Sequence, residues 1–290
     1  MVARGLLRLM PIDMASWVMG KLWRLIAPRL HRHPRALAHI ARAFPDKPAA
    51  EHERIARAMW ETLGRVAAEG FMLDRIAADA GRIVLDVAAA DGAFAKAREK
   101  GAIVASLHSG NWEVCVMPAV GLGLNPAGVY QRVQNPLVEA ELLEIRHRFY
   151  SGGLYPKGPN TVRAILSHIR KRGTVTLLAD HRDIRGLVID FLGGPAWATR
   201  APAHFARSFE VPLVVGRVIR TGPGARFRIE AEEIAVPRTT DRDADIDAAT
   251  IAMNARFEDW IRERPSEWMW IHQRWVKSGD PLPEKGQGGL

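Results

Sequence analysis

Short apolar runs alternate with longer amphipathic segments after residue 100, and this alternation limits the fold more than any other feature of the chain. Runs rich in Val, Ile and Leu are typical of buried strands, whereas apolar residues at helical spacing indicate helices. The predicted strands are residues 103–107, 127–130, 174–179 and 212–219, and the predicted helices are residues 111–122, 136–150, 161–171 and 198–209. The pattern predicts an α/β fold with a mainly parallel sheet flanked by helices. An antiparallel strand at 227–236 and a helix at 251–262 are also predicted.

The N-terminal part has a different composition. Residues 1–75 are rich in Ala, Leu and Arg, so we predict a helical segment there, an α/β domain at 76–279 and a flexible tail at 280–290. Residues 14–45 contain no Asp or Glu, and their basic residues are interleaved with Trp and Leu. This composition is typical of a helix that lies in a membrane interface and meets anionic lipid. The alternative is an amphipathic helix that covers the protein's own core.

Neither a membrane-spanning helix nor a signal peptide is expected, because charged residues interrupt the N-terminal segment. The 290 residues include 41 Lys and Arg against 32 Asp and Glu, a net charge of +9. This excess favours an anionic partner such as a phospholipid surface, nucleic acid or an acidic protein. The single cysteine, Cys115, excludes an internal disulfide and a cysteine-based zinc site. No metal-binding motif occurs, and no metal is predicted.

The segment ASLHSGNWE at residues 105–113 is the candidate for catalysis, because a histidine directly follows a predicted strand. Ligands of open α/β sheets bind beyond the carboxyl ends of strands, so His108 should face a site. A carboxylate beside one ring nitrogen fixes the tautomer of an imidazole, and Glu113 is therefore predicted to orient His108 as a general base. Ser109 lacks a nucleophile-elbow motif, so no enzyme nucleophile is predicted. The predicted nucleophile is a hydroxyl group of the substrate that His108 activates. The alternative is a loop histidine that caps a helix.

Five further blocks follow this segment in order: YQRVQNP at 130–136, RHR at 146–148, LADH at 178–181, FLGGPA at 191–196 and PSEWMWIHQRW at 265–275. In order and spacing, the blocks resemble the late acyltransferases of lipid A biosynthesis, the lauroyl and myristoyl transferase family. That family lies within the glycerolipid acyltransferase superfamily, which has a His-x4-Asp/Glu motif. This chain departs from the family at Gln131, where Arg usually follows Tyr, and at His181, where Gln is common.

The resemblance implies an O-acyltransferase, peripheral or monotopic, at the cytoplasmic face of the inner membrane. It would move a fatty acyl group from acyl carrier protein to a hydroxyl of a lipid A precursor, without a metal or organic cofactor. His108 would be the base and Glu113 its orienter, and Arg146 or Arg148 would bind the oxyanion or a sugar phosphate. The other predicted substrate-binding residues, each with a structural alternative, are Arg132, Asn135 and Asp180; Asn135 is also a candidate helix cap.

Three other functions stay open at the level of sequence. The acceptor is alternatively a lysophospholipid, an ornithine lipid or another hydroxylated lipid. A nucleic-acid-binding protein would fit the net charge, but the chain has no nucleic-acid-binding motif and its basic residues alternate with large apolar ones, so no nucleic-acid partner is expected. A non-catalytic membrane-surface protein is disfavoured by the His108 and Glu113 pair.

Overall fold

The computed structural model describes residues 2–281, and within them a seven-stranded, mostly parallel sheet is flanked by helices. The helices are α1 (Val2–Leu9), α2 (Ile12–Ile26), α3 (His33–Ala43), α4 (Ala49–Gly70), α5 (Leu73–Ala78), α6 (Asp91–Lys100), α7 (Met117–Gly121), α8 (Pro136–Arg146), α9 (Pro159–Arg170), α10 (Ala201–Phe209) and α11 (Arg242–Glu263). The strands are β1 (Ile83–Asp86), β2 (Ala102–Ser106), β3 (Pro126–Tyr130), β4 (Gly153–Pro156), β5 (Thr174–Leu178), β6 (Leu187–Asp190), β7 (Pro195–Ala198), β8 (Leu213–Arg220) and β9 (Phe227–Ile234). The α/β prediction is confirmed.

The order of strands in the main sheet is β1-β9-β8-β2-β5-β3-β4. Neighbouring strands run parallel except β8 and β9, which form an antiparallel pair as predicted for the segment after residue 227. Strand β2 lies near the centre and is buried along its whole length. Burial on both faces explains why its sequence is a continuous apolar run rather than an alternating one.

Several predicted boundaries were wrong. The helix predicted at 111–122 is a 3₁₀ turn (Trp112–Val116) followed by α7, and the helix predicted at 136–150 ends at Arg146. The late helix α11 begins at Arg242, nine residues before the prediction, because the Asp241 side chain caps it by accepting from the Ala244 amide. Four short strands were not predicted: β1, β4 and the antiparallel pair β6 and β7.

The N-terminal helices form part of the main core. Ile40 of α3 and Met59 and Trp60 of α4 belong to the same buried cluster as the sheet residues and the tryptophans Trp268 and Trp270. The helical nature predicted for residues 1–75 agrees with α1 to α4, while α5 continues across residue 75. The division into two domains stays a prediction. Met1 and residues 282–290, most of the predicted flexible tail, lie outside the described residues.

Helix α2 is apolar on two faces. Its inner face packs against α4, where Ala15, Ser16 and Gly20 are buried. Its outer face and the turns on either side expose large apolar side chains, Leu9, Met14, Trp17, Val18, Leu22, Leu25, Ile26 and Leu30. The inner face agrees with a helix that covers the protein's own core, while the membrane-interface interpretation of the outer face stays a prediction. No helix among residues 2–281 is long and apolar enough to cross a membrane.

The contact between α2 and α4 depends on glycine. A Cβ atom at Gly64 would lie 2.5 Å from the Met19 carbonyl oxygen, which cannot move without shifting the α2 backbone. We therefore expect Gly64→Ala to destabilise the protein by about 1–3 kcal/mol, despite the higher helix propensity of Ala. Chemical denaturation measures the change. Gly92→Ala in α6 is the matched control, because nothing lies within 4 Å of its added Cβ, and it should be neutral or stabilising. Equal stability of both variants would contradict the close packing of α2 on α4.

Candidate active site

The register of strands β2 and β5 brings the side chains of His108 and Asp180 together. Strands β2 and β5 run parallel, and Ser106 at the end of β2 lies opposite Leu178 at the end of β5. His108 and Asp180 each follow two residues later. Residues at equal distances beyond paired parallel strands emerge at the same edge of the sheet, which is where open α/β sheets bind ligands.

His108 and Asp180 form a hydrogen-bonded dyad. Nδ1 of His108 lies 2.7 Å from Oδ1 of the fully buried Asp180. Oδ2 of Asp180 accepts from the His108 backbone amide at 2.9 Å and from Nε1 of Trp268 at 2.8 Å. A carboxylate only accepts hydrogen bonds, so Nδ1 carries the proton and Nε2 is the free basic nitrogen.

The charge of Asp180 is well stabilised. Burial by itself raises the pKa of its carboxyl group, but the attraction and hydrogen bonds from His108 outweigh burial and hold the pKa far below its usual range. Asp180 therefore stays ionised and stabilises the imidazolium that forms when Nε2 takes a proton.

Glu113 has a different partner from the one predicted. Its carboxylate forms a two-pronged ion pair with Arg146, whose Nε donates to Oε2 at 2.8 Å and whose Nη2 donates to Oε1 at 2.5 Å. The 3₁₀ turn that begins at Trp112 carries the Glu113 side chain towards α8, and the carboxylate that contacts His108 is Asp180. The contact with the His108 ring that the sequence predicted for Glu113 is made by Asp180. Participation of His108 and Glu113 in catalysis stays a prediction.

His272 is a further titratable group at the site. Its ring centroid lies 4.7 Å from that of His108, and its Nε2 atom is buried without a partner among the described residues. Burial, with a contribution from neighbouring His108, lowers the pKa of His272 to about 4, so this imidazole is neutral at neutral pH.

His108, Asp180 and His272 are close enough together to be considered as metal ligands. The 2.7 Å contact between Nδ1 and Oδ1 is a direct hydrogen bond. Two ligand atoms that share a tetrahedral metal at about 2.0–2.1 Å from it would be further apart. In this geometry, Nδ1 of His108 and Oδ1 of Asp180 therefore form a hydrogen bond and do not share a metal ion.

The turn that carries His108 is fixed by its surroundings. Gly110 has φ +58°, and a Cβ there would lie 2.0 Å from the Val218 carbonyl oxygen, so only glycine fits.

Asn111 donates to the buried carboxylate of Glu69 at 2.8 Å and accepts from the Glu113 amide. Glu69 also accepts from Ser16 of α2 at 2.6 Å and from Arg220 at 2.8 Å. Buried hydrogen bonds thus connect the turn to α2, α4 and β8.

His108 of the dyad lines a cavity of about 1110 Å³. Apolar side chains line one part of its wall, among them Val116, Val129, Leu154, Ile165 and Phe205. Basic side chains also line it, namely Arg146, Lys157, Arg163, Arg182, Arg185 and Arg200. The cavity can therefore accept a molecule that has both a hydrocarbon part and an anionic part.

Four of the five predicted substrate-binding residues do not line this cavity: Arg132, Asn135, Arg148 and Asp180. Arg148 lies on the surface, where its side chain is 55% exposed and pairs with Asp74 at 3.7 Å. Arg132 is exposed in the loop after β3. Asn135 caps α8, because its Oδ1 accepts from the amides of Leu137 and Val138, which agrees with the capping alternative. Asp180 is fully buried and contacts His108 from behind the cavity wall, and Arg146 lines the cavity directly.

Comparison with known proteins gives consistent matches. A family model described as bacterial lipid A biosynthesis acyltransferase matches residues 2–277. The chain is 27% identical over 254 residues to a phosphatidylinositol mannoside acyltransferase from Mycobacterium tuberculosis (strain CDC 1551 / Oshkosh), covering 82% of this chain and 75% of that protein. It is 27% identical over 286 residues to a protein of the same description from Mycolicibacterium smegmatis, covering 93% and 88%.

Proposed function

Because the chain belongs to the family of bacterial lipid A biosynthesis acyltransferases, we propose that it transfers a fatty acyl group from acyl carrier protein to a hydroxyl of a lipid A precursor. The observation that carries this proposal is the His108–Asp180 dyad at the wall of a cavity with apolar and basic parts. The apolar part suits an acyl chain. The basic part suits a phosphate group, either of the carrier's prosthetic arm or of a phosphorylated acceptor. Its positive charge would also attract an acidic carrier protein.

The mechanism is direct transfer. Nε2 of His108 removes the proton of the acceptor hydroxyl as its oxygen attacks the thioester carbonyl. The resulting tetrahedral intermediate collapses, the carbon–sulfur bond breaks, and the imidazolium returns the proton to the leaving thiolate. Asp180 keeps the proton on Nδ1 and stabilises the imidazolium charge. No enzyme nucleophile takes part.

Arg146 is the proposed stabiliser of the oxyanion. Burial lowers the pKa of its guanidinium, but the attraction of Glu113 outweighs this effect and raises the pKa above its usual value, so the group remains charged beside the substrate. Glu113 occupies Nε and Nη2, which leaves the Nη1 donors for a substrate oxygen. Glu113 thus acts by holding Arg146 in place.

We expect Arg146→Lys to lower the rate of transfer by about a hundredfold. A lysine keeps the positive charge, but its single ammonium group cannot both pair with Glu113 at two positions and donate to the oxyanion, as the guanidinium does. Arg148→Lys is the matched control two residues away and should stay within a few-fold of the unmodified enzyme. Initial rates at saturating donor measure both. If the two variants kept equal activity, the oxyanion role of Arg146 would be wrong.

The acceptor and donor are tested by a transfer assay with purified protein. Acyl carrier protein and coenzyme A thioesters of several chain lengths are each supplied with a lipid A precursor, lysophospholipids, an ornithine lipid and a phosphatidylinositol mannoside. Transfer from acyl carrier protein to the lipid A precursor at the highest kcat/KM is the expected result. Preference for coenzyme A thioesters would show that acyl carrier protein is not the donor. Preference for another lipid would show that a lipid A precursor is not the acceptor.

A mannosylated phospholipid is the second candidate acceptor. The two relatives described above are named as phosphatidylinositol mannoside acyltransferases, and they match most of this chain. Both candidate acceptors combine sugar hydroxyls with phosphate, so the basic part of the cavity fits either one. The acceptor panel separates them.

The proposed location is the cytoplasmic face of the inner membrane, with α2 lying in the membrane interface. Its outer face presents Trp17 and Leu25, which are 52% and 62% exposed, on the same helix as exposed Leu22. Lys21 and Arg24 of α2 pair with Glu61 of α4, whereas Arg29 and Arg32 have no carboxylate partner within residues 2–281. Arg29 and Arg32 are therefore the groups proposed to meet anionic lipid.

We expect Leu25→Glu to lower binding to anionic vesicles by about tenfold or more, because an apolar side chain that enters the interface contributes about 1.5–3 kcal/mol. Ile251→Glu is the control, since Ile251 is 52% exposed but lies on α11. Reversal of charge at Arg29 and Arg32 should add a loss that shrinks in high salt. Vesicle flotation measures all three. Equal losses for Leu25→Glu and Ile251→Glu would exclude α2 as the attachment site.

A further inference from the structure

A second, smaller pocket lies outside the catalytic cavity. It has a volume of about 180 Å³ and is lined by α3 and by the segment that follows His272. Arg35, His39 and Arg42 come from α3, where spacings of four and three residues place them on one helix face. The later segment supplies Gln273, Trp275, Val276 and Lys277.

The positive charges of this pocket are not compensated. Among residues 2–281, no carboxylate lies within ion-pair distance of the side chains of Arg35, Arg42 or Lys277. Nζ of Lys277 donates instead to Oε1 of Gln273, a neutral group that does not compensate its charge. Three cations that converge on one small pocket repel each other, and a bound anion relieves that repulsion.

The pocket is also built to hold its cations in place. The guanidinium of Arg42 lies 5.7 Å from the ring centroid of buried Trp275, which is a cation–π distance. The ring of His39 packs against the same indole at 4.4 Å. Nδ1 of His39 lies 2.7 Å from the Trp270 carbonyl oxygen and donates to it, which leaves Nε2 for a ligand.

The positive charges around His39 affect the pKa of its imidazole. Burial is the main cause that lowers the pKa of its imidazole, and the positive charges of Arg42, Arg35 and Lys277 lower it further, against the hydrogen bond to Trp270. An anion among these groups would reverse the electrostatic contribution and favour a second N–H donor at Nε2.

We propose that the pocket formed by Arg35, His39, Arg42 and Lys277 binds a phosphate monoester group. A phosphate monoester offers several oxygens and close to two negative charges, which matches two guanidinium groups, one ammonium group and an imidazole better than a single planar carboxylate does. The volume is below the range of about 300–1,000 Å³ typical of sites that enclose a whole ligand. The pocket therefore holds the anionic group, while the rest of the molecule lies outside. The site does not depend on acyl transfer.

The first test is calorimetric titration of the full-length protein with inorganic phosphate at constant ionic strength. The pocket variant combines Arg35→Gln, Arg42→Gln and Lys277→Gln, and the control variant combines Arg54→Gln, Arg57→Gln and Lys96→Gln, which removes the same net charge from ion-paired surface positions. We expect the pocket variant to lose at least tenfold in phosphate affinity while the control keeps its affinity. Equal affinities in the pocket variant and the unmodified protein, or equal losses in both variants, would overturn the proposal. Thermal unfolding establishes that both variants are folded.

Vesicles distinguish the two sources of phosphate. If a lipid headgroup is the ligand, the pocket variant should lose its preference for phosphatidic acid over phosphatidylglycerol at equal vesicle charge. If a free phosphate compound is the ligand, vesicle binding should be unchanged while inorganic phosphate binding is lost. If the pocket variant bound phosphate normally but bound an acidic carrier protein more weakly, the pocket would be a protein-docking surface and the phosphate assignment would be wrong.

Discussion

Replacement of His108 by Ala should lower acyl transfer by roughly 10²–10⁴-fold, the usual contribution of a positioned general base. Nε2 is the only basic atom of the dyad, because Nδ1 is protonated against Asp180. The substitution removes the base but leaves the cavity wall and the Glu113–Arg146 pair in place. KM for the donor should therefore change little while kcat falls.

Single-turnover rates with radiolabelled donor measure the effect of His108→Ala. The same label tests the absence of an enzyme nucleophile, because an acyl group trapped covalently on the unmodified protein would contradict direct attack. Full activity of His108→Ala would remove the site assignment altogether.

Asp180→Asn should cost about 10³–10⁴-fold in kcat, although it changes only one atom. The amide oxygen can still accept from the His108 amide and from Trp268 at the position of Oδ2. The amide nitrogen then faces Nδ1 of His108, which must accept instead of donate. The proton moves to Nε2, and the imidazole can no longer take a proton from the acceptor.

Two comparisons make the Asp180 prediction specific. Glu113→Gln should retain more activity than Asp180→Asn, because Nδ1 of His108 keeps its partner. The losses of Asp180→Asn and His108→Ala should not add in the double variant, since the orienting group has nothing to orient once the base is absent. Steady-state kinetics of the three variants, with unfolding temperatures as a check, measure both effects. A larger loss for Glu113→Gln than for Asp180→Asn would restore the orienting role to Glu113.

The strands that could be predicted are those with a strong local signal. The central strands β2 and β8 are buried almost throughout, and β5 is buried at its first two residues. All three are rich in Ala, Val, Ile or Leu, so their positions follow from the sequence. Strand β1 is short and largely exposed at the edge of the sheet, and β4 contains Gly and Pro. Their pairing is determined by neighbours distant in the chain, which no local pattern reports.

The position of His108 at the candidate site could be predicted for the same reason, because it follows a strongly marked strand. Its contact with Asp180 could not, since the sequence analysis named only Glu113 as the partner of His108 and tertiary structure decides which carboxylate lies beside the ring. Glu113 is nearer in sequence, but Asp180 is nearer in space. One signal pointed to Asp180, namely that both residues stand just beyond a predicted strand. Strand order and register, which decide whether those ends meet, were unknown. His272 and Trp268 lie in the tryptophan-rich block at residues 265–275, in which no site residue was predicted.

The close packing of α2 on α4 has a consequence for the proposed attachment to a bilayer. Glycines at the contact and the hydrogen bond from Ser16 to buried Glu69 hold α2 against the rest of the protein. If α2 is the attachment helix, as proposed above, the cavity beside His108 is held at a constant distance from the lipid surface. The headgroup of a lipid acceptor would then have to span that distance to reach His108. Under this proposal, the choice of acceptor depends on the length of its headgroup as well as on its chemistry.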